Sequence, residues 1–167
     1  MPKITTAVIL AAGKGSRLDR PDLPKPLVRV GHKPLILWTI ERLQQAGIKK
    51  IFVVIGFRGE LIKKELIGNK TIRATLEFIE QPNVTDKGML QSVLSLAGKI
   101  HQPFILTVTD LISEKNPYRL RVSSLKNDAV WSVVGMEALY IERAGAHSKV
   151  EIEKGHIVRV GRRIKKY

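Results

Sequence analysis

At 167 residues the chain is about one domain long, enough to bury a real core. Its 44% hydrophobic and 26% charged residues exclude an intrinsically disordered chain, and the absence of cysteine excludes disulfide scaffolds, zinc–thiolate centres, iron–sulfur clusters and cysteine nucleophiles. Lysine plus arginine number 29 against 15 acidic residues, and the resulting +14 calls for an anionic partner such as a nucleic acid, a nucleotide, a sugar phosphate or an acidic lipid surface.

Thr5–Ala11 is a short continuous apolar run that reads as a buried strand. Runs such as Ala7–Ala12 fall well below the roughly 18 residues of a membrane span, so a soluble, cytoplasmic protein is expected. A long polar connection from Gly13 to about His32 follows, rich in glycine, proline and basic residues, and a connection of that length is usually functional. Pro34 suits the first turn of a helix, Ile36, Ile40 and Leu43 mark one of its faces, and Gly47 suits its end. Ile51–Ile55 reads as a second buried strand, Gly59–Ile67 as a helix closed by Gly68, and Thr71–Ile79 as a strand. Leu90, Val93, Leu94 and Ala97 carry helical spacing, predicting an amphipathic helix over Gly88–Lys99. Pro103–Val108 is a strand ending at Thr109-Asp110, Val122–Leu125 is ambiguous and Ala129–Val134 is a strand. Val150 and Ile152, then Ile157 and Val160 about a Lys154-Gly155 turn, predict a β-hairpin before a basic tail. Strands alternating with helices argue for a three-layer α/β fold with a mostly parallel sheet, whose ligands bind at the carboxyl ends of the strands.

Two segments carry the chemistry. In Leu10-Ala11-Ala12-Gly13-Lys14-Gly15-Ser16-Arg17-Leu18 a strand runs into a glycine-rich loop. Glycines let backbone amides approach a ligand and form an anion-binding concavity, while Arg17 can grip phosphate oxygens with two hydrogen bonds. The loop is neither a dinucleotide fingerprint, which needs glycine at Leu18, nor a Walker A loop, whose spacing is absent. In Leu23-Pro24-Lys25-Pro26-Leu27 two prolines bracket a lysine and fix a cation beside that loop. Taken singly, the first could be an ordinary strand-to-helix turn and the second a solvated lysine in a rigid turn.

Together with Gly31 and Lys33-Pro34-Leu35, these segments closely resemble the nucleotidyltransferase superfamily, whose members couple a nucleoside triphosphate to a sugar, polyol or choline phosphate. The resemblance implies a three-layer α/β/α, Rossmann-like (GT-A-like) fold over a single domain, 1–167. It implies a triphosphate site at Leu10, Ala11, Ala12, Gly13, Gly15, Ser16, Arg17 and Lys25, with Arg17 and Lys25 on phosphates. Asp110, at a strand end, falls where the family places a magnesium-binding aspartate, so Mg²⁺ is the expected cofactor and Arg17, Lys25 and Asp110 the catalytic set. Glu80-Gln81-Pro82 and Asp86-Lys87-Gly88 fall in the nucleobase region, with Gln81 reading a base edge and Gly88 lying against it. Lys87-Gly88 with Ser92, and Ser148-Lys149-Val150 with Gly155–Val158, resemble inositol-1-phosphate cytidylyltransferases, in which the lysine matched by Lys149 belongs to the acceptor pocket.

The resemblance is not complete. Met89 stands for an expected asparagine, Leu111 for a histidine, and Gly135 falls about where that branch carries an aspartate. The family domain is longer and holds a second metal-binding aspartate beyond the hairpin, so the chain reads as C-terminally short. The expected partners are a nucleoside triphosphate and a small phosphorylated acceptor, CTP and inositol 1-phosphate first; a homo-oligomer is compatible with this. A degenerate nucleotide-binding relative without turnover is the alternative. A basic nucleic-acid binder is the third reading, disfavoured because no binding motif is present and aromatics are only 5%. His32, His101, His147 and His156 lack metal-site spacing and read as structural or surface residues.

Overall fold

Thr6 and the five apolar residues that follow it, Ala7–Ala11, form β1, buried along its whole length. In a computed structural model, residues 4–15, 22–81, 89–112, 115–119, 149–153 and 156–161 are described. The chain divides into two compact units, Met1–Ser123 and Ser124–Tyr167.

In the first unit β1 is flanked by β4 (Lys50–Ile55) and β6 (Phe104–Val108), and β5 (Thr75–Glu80) lies beyond β4. The order β5-β4-β1-β6 is parallel throughout. Continuous apolar stretches suit it, because a parallel sheet is covered on both faces. Alternation along the strands divides the core in two. Ala7, Ile9, Ala11, Ile51, Val53 and Ile55 pack with Ile36, Ile40 and Leu43 of α1 (Leu35–Gln45) and with Ile62 and Leu66 of α2 (Gly59–Ile67). Val8, Leu10, Phe52, Val54 and Ile79 pack on the opposite side with Val93 and Leu96, in and just after α3 (Met89–Leu94). Helices therefore cover both faces, and the expected three layers are present. No described helix is long and apolar enough to cross a membrane.

Helix α1 ends as its glycine predicts. Gly47 has φ +91, its N–H donates to Gln44 O at 2.9 Å, and the Ile48 N–H donates to Leu43 O at 3.1 Å. These two bonds are the Schellman arrangement, and Ile48 joins Leu43 in the core. Pro34 stands at the N-cap of α1 rather than inside its first turn.

Three expectations are corrected. Strand β5 begins at Thr75, not Thr71. The Asn69 side chain accepts the Thr71 N–H, and Gln44 Oε1 accepts the N–H groups of Arg73 and Ala74, so these donors are taken before the ladder starts. The α-helix expected over Gly88–Lys99 is shorter, because Ser95 Oγ donates to Ser92 O at 2.7 Å and competes for that carbonyl. The following turns tighten to i→i−3 bonds, from Leu96 N to Val93 O and from Ala97 N to Leu94 O. Ser92 and Leu96 are buried on its inner face, Val93 is half-buried beside them, and Leu94 is turned outward. Finally, the polar connection after the glycine loop contains a 3₁₀ turn (Lys25–Leu27) and a small antiparallel pair, β2 (Arg29–Val30) with β3 (Lys33–Pro34), that periodicity does not reveal in strands of two residues.

In the second unit β7 (Lys149–Glu153) pairs antiparallel with β8 (His156–Gly161), with an irregularity between Glu151 and Ile152. This is the predicted hairpin; Lys154 and Gly155 at its turn lie outside the described residues, as do the expected strand Ala129–Val134 and the segment Val122–Leu125.

Candidate active site at the carboxyl edge of the sheet

Strands β1 and β6 are parallel neighbours with Leu10 opposite Val108, so they release the chain side by side. From β1 emerge Ala12-Gly13-Lys14-Gly15, and from β6 Thr109-Asp110. The chain leaves β1 through α1 toward β4 while β6 lies on the other flank, which makes this edge the topological switch point, where open parallel sheets bind ligands.

Gly15 has φ +66, a left-handed conformation that β-branched residues resist. Gly13 contributes differently. It is not left-handed, and a Cβ built on it would meet no atom of the described residues within 4 Å. Leu10, Ala11 and Ala12 are buried. Ser16 and Arg17 lie outside the described residues.

Lys25 comes to this edge by a different route. Pro24 and Pro26 fix a 3₁₀ turn, closed by Leu27 N–H to Pro24 O at 2.8 Å and Val28 N–H to Lys25 O at 3.1 Å. Pro26 is buried, and the Leu35 N–H donates to Val28 O at 2.9 Å, docking the turn on the start of α1. The Lys25 ammonium forms an ion pair with the Asp110 carboxylate across 85 positions of sequence. Both side chains remain partly in solvent, 33% and 44% exposed. A cation fixed on one loop thus faces an anion fixed at the end of β6.

The donor set can be tested against a divalent metal. Among the described residues no three His, Cys, Asp or Glu side chains come together to hold a metal. One accessible carboxylate at a strand end suits Mg²⁺, which is commonly held by one or two carboxylates together with substrate phosphates and water. Asp110 therefore fits a metal that arrives with a triphosphate.

Gln81 closes the next part of the edge. It follows β5, its N–H donates to Ile55 O at 2.9 Å, and its Oε1 accepts a 2.6 Å hydrogen bond from Ser92 Oγ. Both side chains are buried. Gln81 lines an open cleft of about 550 Å³ with Ile55, Gly56, Arg58, Gly59 and Glu80, a volume suited to a small ligand. At its lip Lys63 bridges Glu80 at 2.8 Å and Glu60 at 3.0 Å. The bond from Lys63 holds the Glu80 carboxyl below its ordinary range, and Glu80, then Glu60, raise the Lys63 ammonium. Gly88 lies outside the described residues, and Lys149 lies on β7 in the second unit, opposite Gly161.

Sequence reasoning passes over Arg58. It sits at φ +50, ψ +39 before α2, and its Nη1 donates to Asp22 O at 2.7 Å. Arginine carries no signal for a left-handed backbone; the flanking Gly56 and Gly59 are the available hint.

Comparison with known proteins agrees with this geometry. Residues 7–134 match the model of the MobA-like NTP transferase domain. The chain is 30% identical over 166 residues to the bifunctional IPC transferase and DIPP synthase of Aquifex aeolicus, covering 98% of this chain and 37% of that protein. It is 35% identical over 113 residues to the mannose-1-phosphate guanyltransferase of Schizosaccharomyces pombe, covering 65% of this chain and 31% of that protein. The chain thus spans about a third of the length of these curated relatives. The structure of the inositol-1-phosphate CTP transferase from T. maritima superposes with a TM-score of 0.75 at 19% identity, over 99% of this chain and 67% of the other. That likeness carries the fold, and the family match over residues 7–134 carries the membership: the chain belongs to the MobA-like NTP transferase family.

Proposed function

We propose that this chain, as one nucleotidyltransferase-like domain over 1–167, transfers a nucleotidyl group from a nucleoside triphosphate to a small phosphorylated acceptor and releases pyrophosphate. CTP with inositol 1-phosphate is the preferred pair, in a cytoplasmic, Mg²⁺-dependent reaction. The observation that supports it best is the Lys25–Asp110 pair standing at the switch point beside the glycine loop. Similarity to an IPC transferase along 98% of the chain supports the choice of acceptor.

The chemistry needs no protein nucleophile. A phosphate oxygen of the acceptor attacks the α-phosphorus in line. The new P–O bond forms as the bond to the bridging oxygen breaks, and the electron pair leaves with pyrophosphate. Both reactants are anions, so their repulsion is the main obstacle. Lys25 and Arg17 offset it by holding phosphate oxygens where charge develops. The amides of Gly13–Gly15 donate to the same group, and no described residue crowds Gly13 there. Magnesium, when bound by Asp110 and triphosphate oxygens, supplies Lewis-acid neutralisation of that charge. In the free protein the ammonium of Lys25 and the carboxylate of Asp110 neutralise each other, so neither partly buried charge is left alone. Gln81, its amide held by Ser92, contacts the base, and Lys149 binds the acceptor phosphate.

The test is a thermal-shift screen of CTP, UTP, GTP, ATP and dTTP with and without Mg²⁺, followed by pyrophosphate release against polyol, sugar and choline phosphates. Stabilisation by a nucleotide with Mg²⁺, and release with inositol 1-phosphate, are expected. Binding without release from any acceptor would mean a degenerate nucleotide-binding relative. Salt-sensitive retention of DNA or RNA without either would mean a nucleic-acid binder.

A further inference from the structure

The chain leaves the sheet after Ala12, and the next described stretch begins at Asp22. Two consecutive residues on the far side of β4 reach both of these points. The Phe57 N–H donates to Ala12 O at 3.2 Å, and Arg58 Nη1 donates to Asp22 O at 2.7 Å. Phe57 and Arg58 also contact each other, the guanidinium standing 5.6 Å from the ring centroid.

Arg58 is an unexpected residue for its backbone. It is the only non-glycine at positive φ among the described residues, at φ +50. A left-handed backbone is unfavourable for a residue with a Cβ, so glycine would serve that turn better unless the side chain does something. Arg58 is exposed, so burial of apolar surface does not explain it. What its side chain does is hold Asp22 O. Three residues further on stands Lys25, and the path between them is stiff: Leu23, then Pro24 at the start of the 3₁₀ turn. A fixed Asp22 is passed on to the ammonium that faces Asp110.

We infer that Arg58 is a positioning residue, whose guanidinium holds the Asp22 carbonyl and thereby sets where Lys25 stands. Its consequence for nucleotide binding rests on the function proposed above; the tether itself does not.

The test compares the full chain with Arg58→Gly and Arg58→Lys. Arg58→Gly removes both the strain and the tether, so it is expected to melt no lower than the parent. Trypsin should nevertheless cut its Arg17–Leu18 bond about tenfold faster under native conditions, because cleavage there follows how often the hold on Asp22 is lost. Its affinity for CTP with Mg²⁺ should fall about ten- to a hundredfold, since a small displacement of a phosphate-binding group is costly. Arg58→Lys keeps a donor and should lie between the two in cleavage. Stability and loop protection moving in opposite directions is a result that a merely structural role does not give. Cleavage of Arg58→Gly at the parent rate would overturn the tether, whatever happens to CTP, and so would a fall in melting temperature that accounts for the faster cleavage. If the parent binds no nucleoside triphosphate, the proposed function fails, and the cleavage comparison still decides the role of Arg58.

Discussion

Replacing Lys25 by methionine should separate folding from function. Met keeps an unbranched apolar stem and loses the charge. The turn that carries it is closed by backbone bonds and a buried proline, none of which involves the ammonium. The lost contact is an ion pair whose members are 33% and 44% exposed, and pairs in that setting contribute about 0.2–1 kcal/mol. Asp110 keeps access to water, so the substitution leaves no desolvated charge behind. For a chain of this size 1 kcal/mol corresponds to about 2–4 °C, so the melting temperature should move by no more than that. The effect on chemistry should be much larger. Removing one preorganised donor from a charged transition state costs about 10²–10³-fold in rate. Thermal melting and pyrophosphate release from CTP and inositol 1-phosphate, measured on one preparation, give both quantities. Release at the parent rate would refute the role of Lys25, and a melting temperature lower by 10 °C or more would show that the pair is structural, against the argument from exposure.

Further outcomes follow from the same geometry. Gly15→Val places a β-branched residue at φ +66 in the glycine loop and should abolish nucleotide-induced stabilisation; retained stabilisation would remove the loop from the site. Leu43→Ala deletes a fully buried side chain shared by α1 and the sheet and should cost about 2–5 kcal/mol in urea unfolding; a cost under 1 kcal/mol would contradict the core described above. Burial raises the Tyr118 hydroxyl above its ordinary value of 10.0, although its 2.7 Å bond with Thr107 acts the other way. The unfolded chain then ionises this tyrosine first, so its contribution is complete below about pH 10 and is lost as pH rises toward the folded-state value. The stability advantage of the parent over Tyr118→Phe should shrink between pH 9 and 11, and a constant advantage would contradict the burial of this group.

Much of the fold was legible because its signals are local. Continuous apolar runs at Thr6–Ala11 and Ile51–Ile55 admit little besides buried parallel strands, and Gly59 and Gly68 bracket α2 at its observed ends. The misjudged boundaries lie where side chains compete with the backbone. Gln44 comes from another helix to take the N–H groups of Arg73 and Ala74, a contact across about thirty positions that no window reading contains. Ser95 does the same at short range and ends α3 within an apolar pattern that would have carried it on. The candidate site was legible in its parts. Glycine loop, Pro-Lys-Pro turn and strand-end aspartate each carry a recognisable residue pattern. Their mutual arrangement was not, since the pairing of Lys25 with Asp110 depends on β6 lying beside β1. Arg58 was unreadable because its role comes from backbone strain and a main-chain acceptor, neither of which has a signature in residue type.

The most direct measurement is pyrophosphate release from CTP and inositol 1-phosphate with Mg²⁺, for the parent chain and Asp110→Asn side by side. Asparagine preserves the size of Asp110 and removes the charge that faces Lys25 and would hold the metal. Mg²⁺-dependent release by the parent is expected, with a loss of about 10²-fold or more in Asp110→Asn and the melting temperature little changed. Equal release from both proteins would contradict the role of Asp110.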